Sequence, residues 1–257
     1  MNLTESMRRD WNDRARKNAF HYIASWRQEW DLESFLASGE EDFQRLAEPA
    51  LSRCGIPSSG GGAMIELGCG AGRMTGSFAR RFDRVYAFDL SNEMLGRARH
   101  IHADRANILW LLGNGKDLGC VQTGSVDFVF SYLVLQHLPS KALVLQYVRE
   151  MLRVLRPGGA FLFQFNGGFE PTMKWRGRLA WGLVDAFWSA GLVRVSRAAA
   201  SRFGFDPEAA GRSWRGTAIR AERVADAAIA AGGIVREWSG ANTPMAWCCG
   251  VKGRPEN

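Results

Sequence analysis

The chain has no hydrophobic run fit to cross a bilayer: none of its 257 residues falls in a window of roughly 18 uncharged apolar side chains. Its opening stretch, MNLTESMRRDWNDRARKN, lacks the apolar centre of a secretory signal. There is no CxxC pair, and five cysteines are an odd number, so neither a disulfide framework nor a zinc or redox motif is expected. Cys248 and Cys249 would point to opposite faces of a strand, which is a packing role. These absences point to a reducing, cytoplasmic setting and to no metal. Also missing are a long Lys/Arg run and an RNA-binding aromatic signature, so the net charge of +7 is not read as a nucleic-acid footprint.

What is present is an alternation. After the low-complexity joint SSGGGA at 58–63, apolar runs alternate with helical patterns. AMIELG, RVYAFD, NILWLLG, SVDFVFS and RPGGAFLFQF read as five strands. GRMTGSFARRF, SNEMLGRARHIHAD with Ser91 as N-cap, and KALVLQYVREMLRVL read as the intervening helices. Such a rhythm predicts a parallel sheet covered on both faces. TAIRAERVADAAIAAGG is a further helix, and IVREWSG and TPMAWCCGVKG are too close together for anything but an antiparallel hairpin. The predicted organisation is an N-terminal helical cap at 1–60 and an α/β domain at 61–257. The latter is interrupted at about 166–215 by a helical lid over the sheet. Residues 172–223 hold ten Lys/Arg against four Asp/Glu, so the basic excess sits near that lid.

The chemistry starts at ELGCGAGR. Gly68, Gly70 and Gly72 leave bare backbone at the carboxyl end of the first strand, where open α/β sheets bind ligands. The third glycine comes one residue early for a dinucleotide fingerprint, which favours a ligand without a pyrophosphate. Asp89, closing the second strand, can accept both hydroxyls of a ribose; otherwise it is a charge partner for the next helix. Asn114 could pair with an adenine edge, or it could be only a turn residue in its Asn-Gly pair. Glu66 adds a negative charge that suits an ammonium or a sulfonium.

With ELGCGAG, FDLSNEML, GNGKDL, VDFVFSYLVLQHLP and LRPGG in order and spacing, the chain resembles the class I S-adenosylmethionine-dependent methyltransferases from about Met64 to Val251. The resemblance implies a Rossmann-like, doubly wound seven-stranded sheet, with strand seven antiparallel between five and six. It implies S-adenosyl-L-methionine as cofactor, with S-adenosyl-L-homocysteine as product. Gly68 to Gly72, including Cys69, would cradle the methionine part. Asp89 would bind the ribose, and Leu90 would lie along the adenine. Glu66, Asn114, Gly115 and Ser131 complete the candidate cofactor residues, although many relatives carry aspartate where Asn114 stands.

The expected reaction is methyl transfer to an O, N or C atom of a small molecule. By the resemblance, Tyr132, Gln136 and His137 would sit where the family's acceptor pocket opens. His137 could serve as a base near neutral pH, or simply pack the turn before the next helix; Tyr132 could touch the substrate or the core. Trp175, Phe203 and Trp214 of the lid, and Trp11 and Tyr22 of the cap, are candidate substrate contacts; the lid aromatics could equally pack the lid itself. Two other readings stay open. One is a binding protein that keeps the fold without the chemistry. The other is a peripheral membrane enzyme acting on a lipid-like or quinone substrate, because KWRGRLAWGLVDAFWSAGLVR is Trp-rich and flanked by arginines. A monomer or homodimer is expected.

Overall fold

The computed structural model describes residues 3–57, 61–168, 175–190, 192–205 and 216–254. Its centre is one seven-stranded sheet. The strands are β1 (Ala63–Leu67), β2 (Arg84–Asp89), β3 (Ile108–Leu112), β4 (Val126–Ser131), β5 (Leu155–Phe165), β6 (Gly233–Ser239) and β7 (Ala246–Lys252). Their order is β3-β2-β1-β4-β5-β7-β6, and every pairing is parallel except those of β7 with β5 and β6. This is the Rossmann-like arrangement with its antiparallel C-terminal hairpin.

Strand periodicity builds two cores. Ile65, Val129, Phe161 and Cys248 belong to one face, and their neighbours Met64, Phe128, Leu162 and Cys249 to the other. The first face is covered by α6 (Lys141–Val154) and α9 (Ala221–Ala230). On α6, Val144, Tyr147, Val148, Met151 and Leu152 are buried at helical spacing. Ser140 caps the helix by accepting from the Leu143 backbone N–H. Over the second face lie α3 (Glu48–Arg53) and α4 (Thr75–Ala79), the latter shorter than the pattern GRMTGSFARRF predicts. Residues 72–74 form turns because Gly72 adopts φ +85°, which a helix cannot use. Ser91 caps α5 (Asn92–Ile101) as expected, accepting from the Met94 N–H.

The cap contributes α1 (Leu3–Ile23), bent at Asn18 (φ −164°, ψ 87°), and α2 (Leu32–Asp42). Helix α1 is fastened over the carboxyl ends of β2 and β3. Arg8 donates to the carbonyls of Leu90 (3.3 Å) and Gly113 (3.2 Å). Asn12 Oδ1 accepts from the Ser91 hydroxyl at 2.6 Å, and Arg16 pairs with Glu93 at 2.7 Å.

In the inserted segment, α7 (Trp175–Ser189) and α8 (Val193–Arg202) pack on each other around Val184 and Ala200. Trp181 stacks on Phe205 with ring centroids 4.3 Å apart. That core is separate from the two sheet cores, so these aromatics serve the hairpin itself.

Candidate functional site

The carboxyl ends of β1, β2, β3 and β4, roofed by α1, enclose a cavity of about 570 Å³. That is within the range for a drug-sized ligand, ~300–1,000 Å³. Glu66, Gly68, Cys69, Gly70, Asp89, Leu90 and Gly115 all line it, as do Trp11, Tyr22, Tyr132, Gln136 and His137. The sequence-derived residues therefore converge on one space from five separate segments.

The glycine loop is bound to the neighbouring strand through Asp89. Its Oδ2 accepts from the Gly70 N–H at 2.9 Å, and its Oδ1 from the Ser91 N–H at 2.8 Å. Each carboxylate oxygen keeps a lone pair for a further donor. Gly70 sits at φ +56°, and a Cβ there would come 2.8 Å from Ile23 of the roof. Gly72 is a correction. It does not line the cavity; a Cβ would strike the His102 ring at 2.8 Å, and His102 Nε2 donates to the Gly72 carbonyl at 2.8 Å. The third glycine thus seats the loop on α5 instead of facing a ligand. Burial holds the His102 imidazole below its usual pKa, so it makes this bond as a neutral ring.

Two acids share this wall, Glu66 buried and Asp89 half-buried. Glu66, 5% exposed, accepts from the Thr75 hydroxyl at 2.5 Å, and burial raises its pKa to about 8. Burial likewise lifts Asp89 to about 6, against the pull of the Ser91 and Gly70 N–H groups. Burial thus opposes the expected negative charge at Glu66, and the Thr75 hydroxyl and the Arg73 charge favour it.

Two further expectations are corrected by side-chain direction. Asn114 is exposed and absent from the cavity wall. Its Oδ1 accepts from the N–H groups of Lys116 (2.8 Å) and Asp117 (2.9 Å), and its amide donates to Asp117 Oδ1 at 2.6 Å. The amide is consumed by its own turn, and Asp117 faces the cavity in its place. Ser131 is fully buried, donates to the Leu67 carbonyl at 3.2 Å and joins β4 to β1 behind the wall. Phe203 is 44% exposed and not part of the cavity. The side chain of Trp175 and the whole of Trp214 lie outside the described residues.

Part of the wall is aromatic. Trp11 meets His137 edge-on at 5.3 Å between ring centroids, and Tyr22, Trp26 and Tyr132 stand nearby. Arg73, 4% exposed, lies 5.3 Å from the Trp26 centroid and 5.8 Å from that of Tyr132. Its guanidinium donates to Asp42 at 2.7 Å and to the Ser38 carbonyl at 3.0 Å. Burial raises the Tyr132 phenol, and Asp42 pushes it the same way.

The sequence reading missed Gln164. It is fully buried in β5 between Phe163 and Phe165, and a polar residue in so apolar a run was the available signal. Gln164 Nε2 donates to Gln136 Oε1 at 3.0 Å and to the carbonyls of Phe165 and Pro244. Its Oε1 accepts from the Leu133 N–H at 3.1 Å, holding Leu133 at φ +60° in the cavity wall. Because Gln136 Oε1 is the acceptor in that pair, its amide donates to His137 Nε2 at 3.1 Å. His137 Nε2 is then the unprotonated nitrogen, an assignment made from this network.

Comparison with known proteins fits this geometry. Residues 65–163 match the family model of a methyltransferase domain. The biotin biosynthesis bifunctional protein BioHC of Cellvibrio japonicus is 36% identical over 125 residues, covering 48% of this chain and 23% of that protein. A ubiquinone biosynthesis O-methyltransferase of Xanthomonas oryzae pv. oryzae is 33% identical over 108 residues, covering 41% of this chain and 44% of the relative. The chain thus spans less than half the length of these curated relatives. The solved structure of the N-methyltransferase NodS from Bradyrhizobium japonicum WM9, in complex with S-adenosyl-L-homocysteine, shares the fold. Its TM-score is 0.51 at 19% identity, over 83% of this chain and 88% of that one.

Proposed function

From a chain that belongs to the class I S-adenosylmethionine-dependent methyltransferase family, we propose an enzyme that moves a methyl group from S-adenosyl-L-methionine to an O, N or C atom of a small acceptor. The carrying observation is that Gly68–Gly70 and Asp89 line the same cavity as Trp11, Tyr132 and His137. When bound, the cofactor supplies a methyl group on a positively charged sulfur and leaves as a neutral thioether. The chain itself binds and aligns. Asp89 offers its remaining lone pairs to ribose hydroxyls, and Leu90 an apolar surface to the base. Asp117 is the candidate polar partner for the base, in place of Asn114. Glu66 ionises when a cation lies beside it. The α1 roof excludes water, and holding two reactants in line is worth roughly 7–11 kcal/mol in favourable cases.

His137 is the candidate base for an acceptor that arrives protonated. Its Nε2 lone pair is capped by the Gln136 amide, so an acceptor hydroxyl or ammonium would exchange with that amide to reach it. The proposal is tested by incubating the protein with S-adenosyl-L-methionine and pools of phenolic, amine and carboxylate acceptors, following S-adenosyl-L-homocysteine by mass spectrometry. Acceptor-dependent product supports it. Cofactor binding without turnover on any pool would favour a protein that keeps the site but not the chemistry.

A further inference from the structure

Among the described side chains of α7, the solvent side is apolar, which is unusual for a helix whose other side is already buried. Val184 faces the hairpin's own core, Ala180 is buried, and Ser196 of α8 donates to the Val184 carbonyl at 2.8 Å. Leu179 (61% exposed), Leu183 (52%), Ala186 and Ala190 follow at i, i+4, i+7 and i+11, which makes one exposed stripe. No exposed residue described on α7 is charged. In an antiparallel pair, the same helical spacing turns Val195 and Arg202 of α8 to the flank that carries this stripe. Leu192 is exposed at the tip.

Charge selects the occupant. Residues 175–205 carry five arginines (Arg176, Arg178, Arg194, Arg197, Arg202) against one acid, Asp185. Two copies meeting through this face would bring like charges together, whereas an anionic bilayer would neutralise them and bury the leucines. We propose that the α7–α8 hairpin docks on an anionic lipid surface, lying in the interface with Leu179, Leu183 and Val195 inserted and Arg194 and Arg202 at headgroup level. The insertion leaves the sheet at Phe165 and returns where the Ile219 N–H donates to the Asn166 carbonyl at 2.9 Å. Gly216 packs there against the Gln136 backbone, close to the cavity wall.

Docking needs neither cofactor nor acceptor, so its test is independent of the methyl-transfer reading. The full chain is floated with vesicles of phosphatidylcholine alone and of phosphatidylcholine mixed with phosphatidylglycerol. Partition into the anionic vesicles only, weakened by salt, is expected. Leu179→Glu with Leu183→Glu should lower that partition at least about tenfold. Arg194→Glu and Arg202→Glu should each lower it about fivefold or more. Circular dichroism and S-adenosyl-L-homocysteine binding should stay unchanged in these variants, because none of the four residues lines the cavity. Absence of partition, or variants that partition like the parent, would overturn the proposal. So would a dimer in solution that the leucine variant dissociates, which would assign the face to a second copy.

Discussion

Replacing Glu66 by Gln tests how the cavity wall is built. Burial raises this carboxyl from 4.5 to about 8, so the folded chain holds its proton over a range where the unfolded chain releases it. The sign follows directly. A folded pKa above the unfolded one favours the native state most below pH 4.5, and that advantage is lost as pH rises to 8. Each unit of separation is worth about 1.36 kcal/mol, so between pH 6.5 and 9 this group alone removes about 2 kcal/mol of stability. Gln keeps the shape and has no proton to lose. The assay is urea unfolding of both proteins, without ligand, at pH 6.5 and 9. Other titrating groups are common to both and cancel in the difference. The gap should therefore move by about 2 kcal/mol in favour of the Gln variant as pH rises. Saturating S-adenosyl-L-homocysteine, whose ammonium would favour the ionised Glu66, should shrink the shift in the parent. Parallel pH profiles for the two proteins would refute the buried, protonated carboxyl.

Asp89→Ala should weaken S-adenosyl-L-homocysteine binding by about 1–3 kcal/mol in calorimetry, as expected for lost hydrogen bonds to a charged acceptor; unchanged affinity would remove Asp89 from the site. In the parent, that affinity should fall as pH drops through about 6, where Asp89 gains a proton in the free protein, with proton release visible as a buffer-dependent heat. A flat profile from pH 5 to 7 would contradict this. Gly70→Ala places a side chain at φ +56° beside Ile23, and should cost about 1–2 kcal/mol in urea melts even when Ile23 is trimmed to Ala. Full stability in the double variant would mean the loop conformation is not enforced. Gln136→Glu keeps the bond from Gln164 but turns the donor to His137 into a charge that favours imidazolium. The acid limb of the turnover profile should then rise by about one unit or more, and an unmoved limb would leave His137 a packing residue.

Most of the fold could be read from periodicity because each strand alternates between two cores and each main helix buries one stripe; RVYAFD matches β2 residue for residue, and SVDFVFS exceeds β4 by Ser125 alone. The cavity wall was readable wherever backbone geometry decides it, as at Gly70 and Asp89. It was not readable where two side chains compete for one role. Asn114 and Asp117 are three residues apart, and only the turn's hydrogen bonds determine that the amide turns inward on itself while the acid faces the cavity. Gly72 has the same sequence signature as Gly70, yet its neighbour in space is His102, thirty residues away. Gln164 and Arg73 act through partners far along the chain, Leu133 and Asp42, and no local pattern carries such pairings.

The most direct test of the account is a crystal structure of the protein grown with S-adenosyl-L-homocysteine. Density should run from the Gly68–Gly70 backbone past Asp89 to Leu90 and Asp117, with both ribose hydroxyls within hydrogen-bonding reach of the Asp89 carboxylate. An empty cavity at saturating concentration, or the nucleoside seated elsewhere with Asp89 untouched, would contradict it.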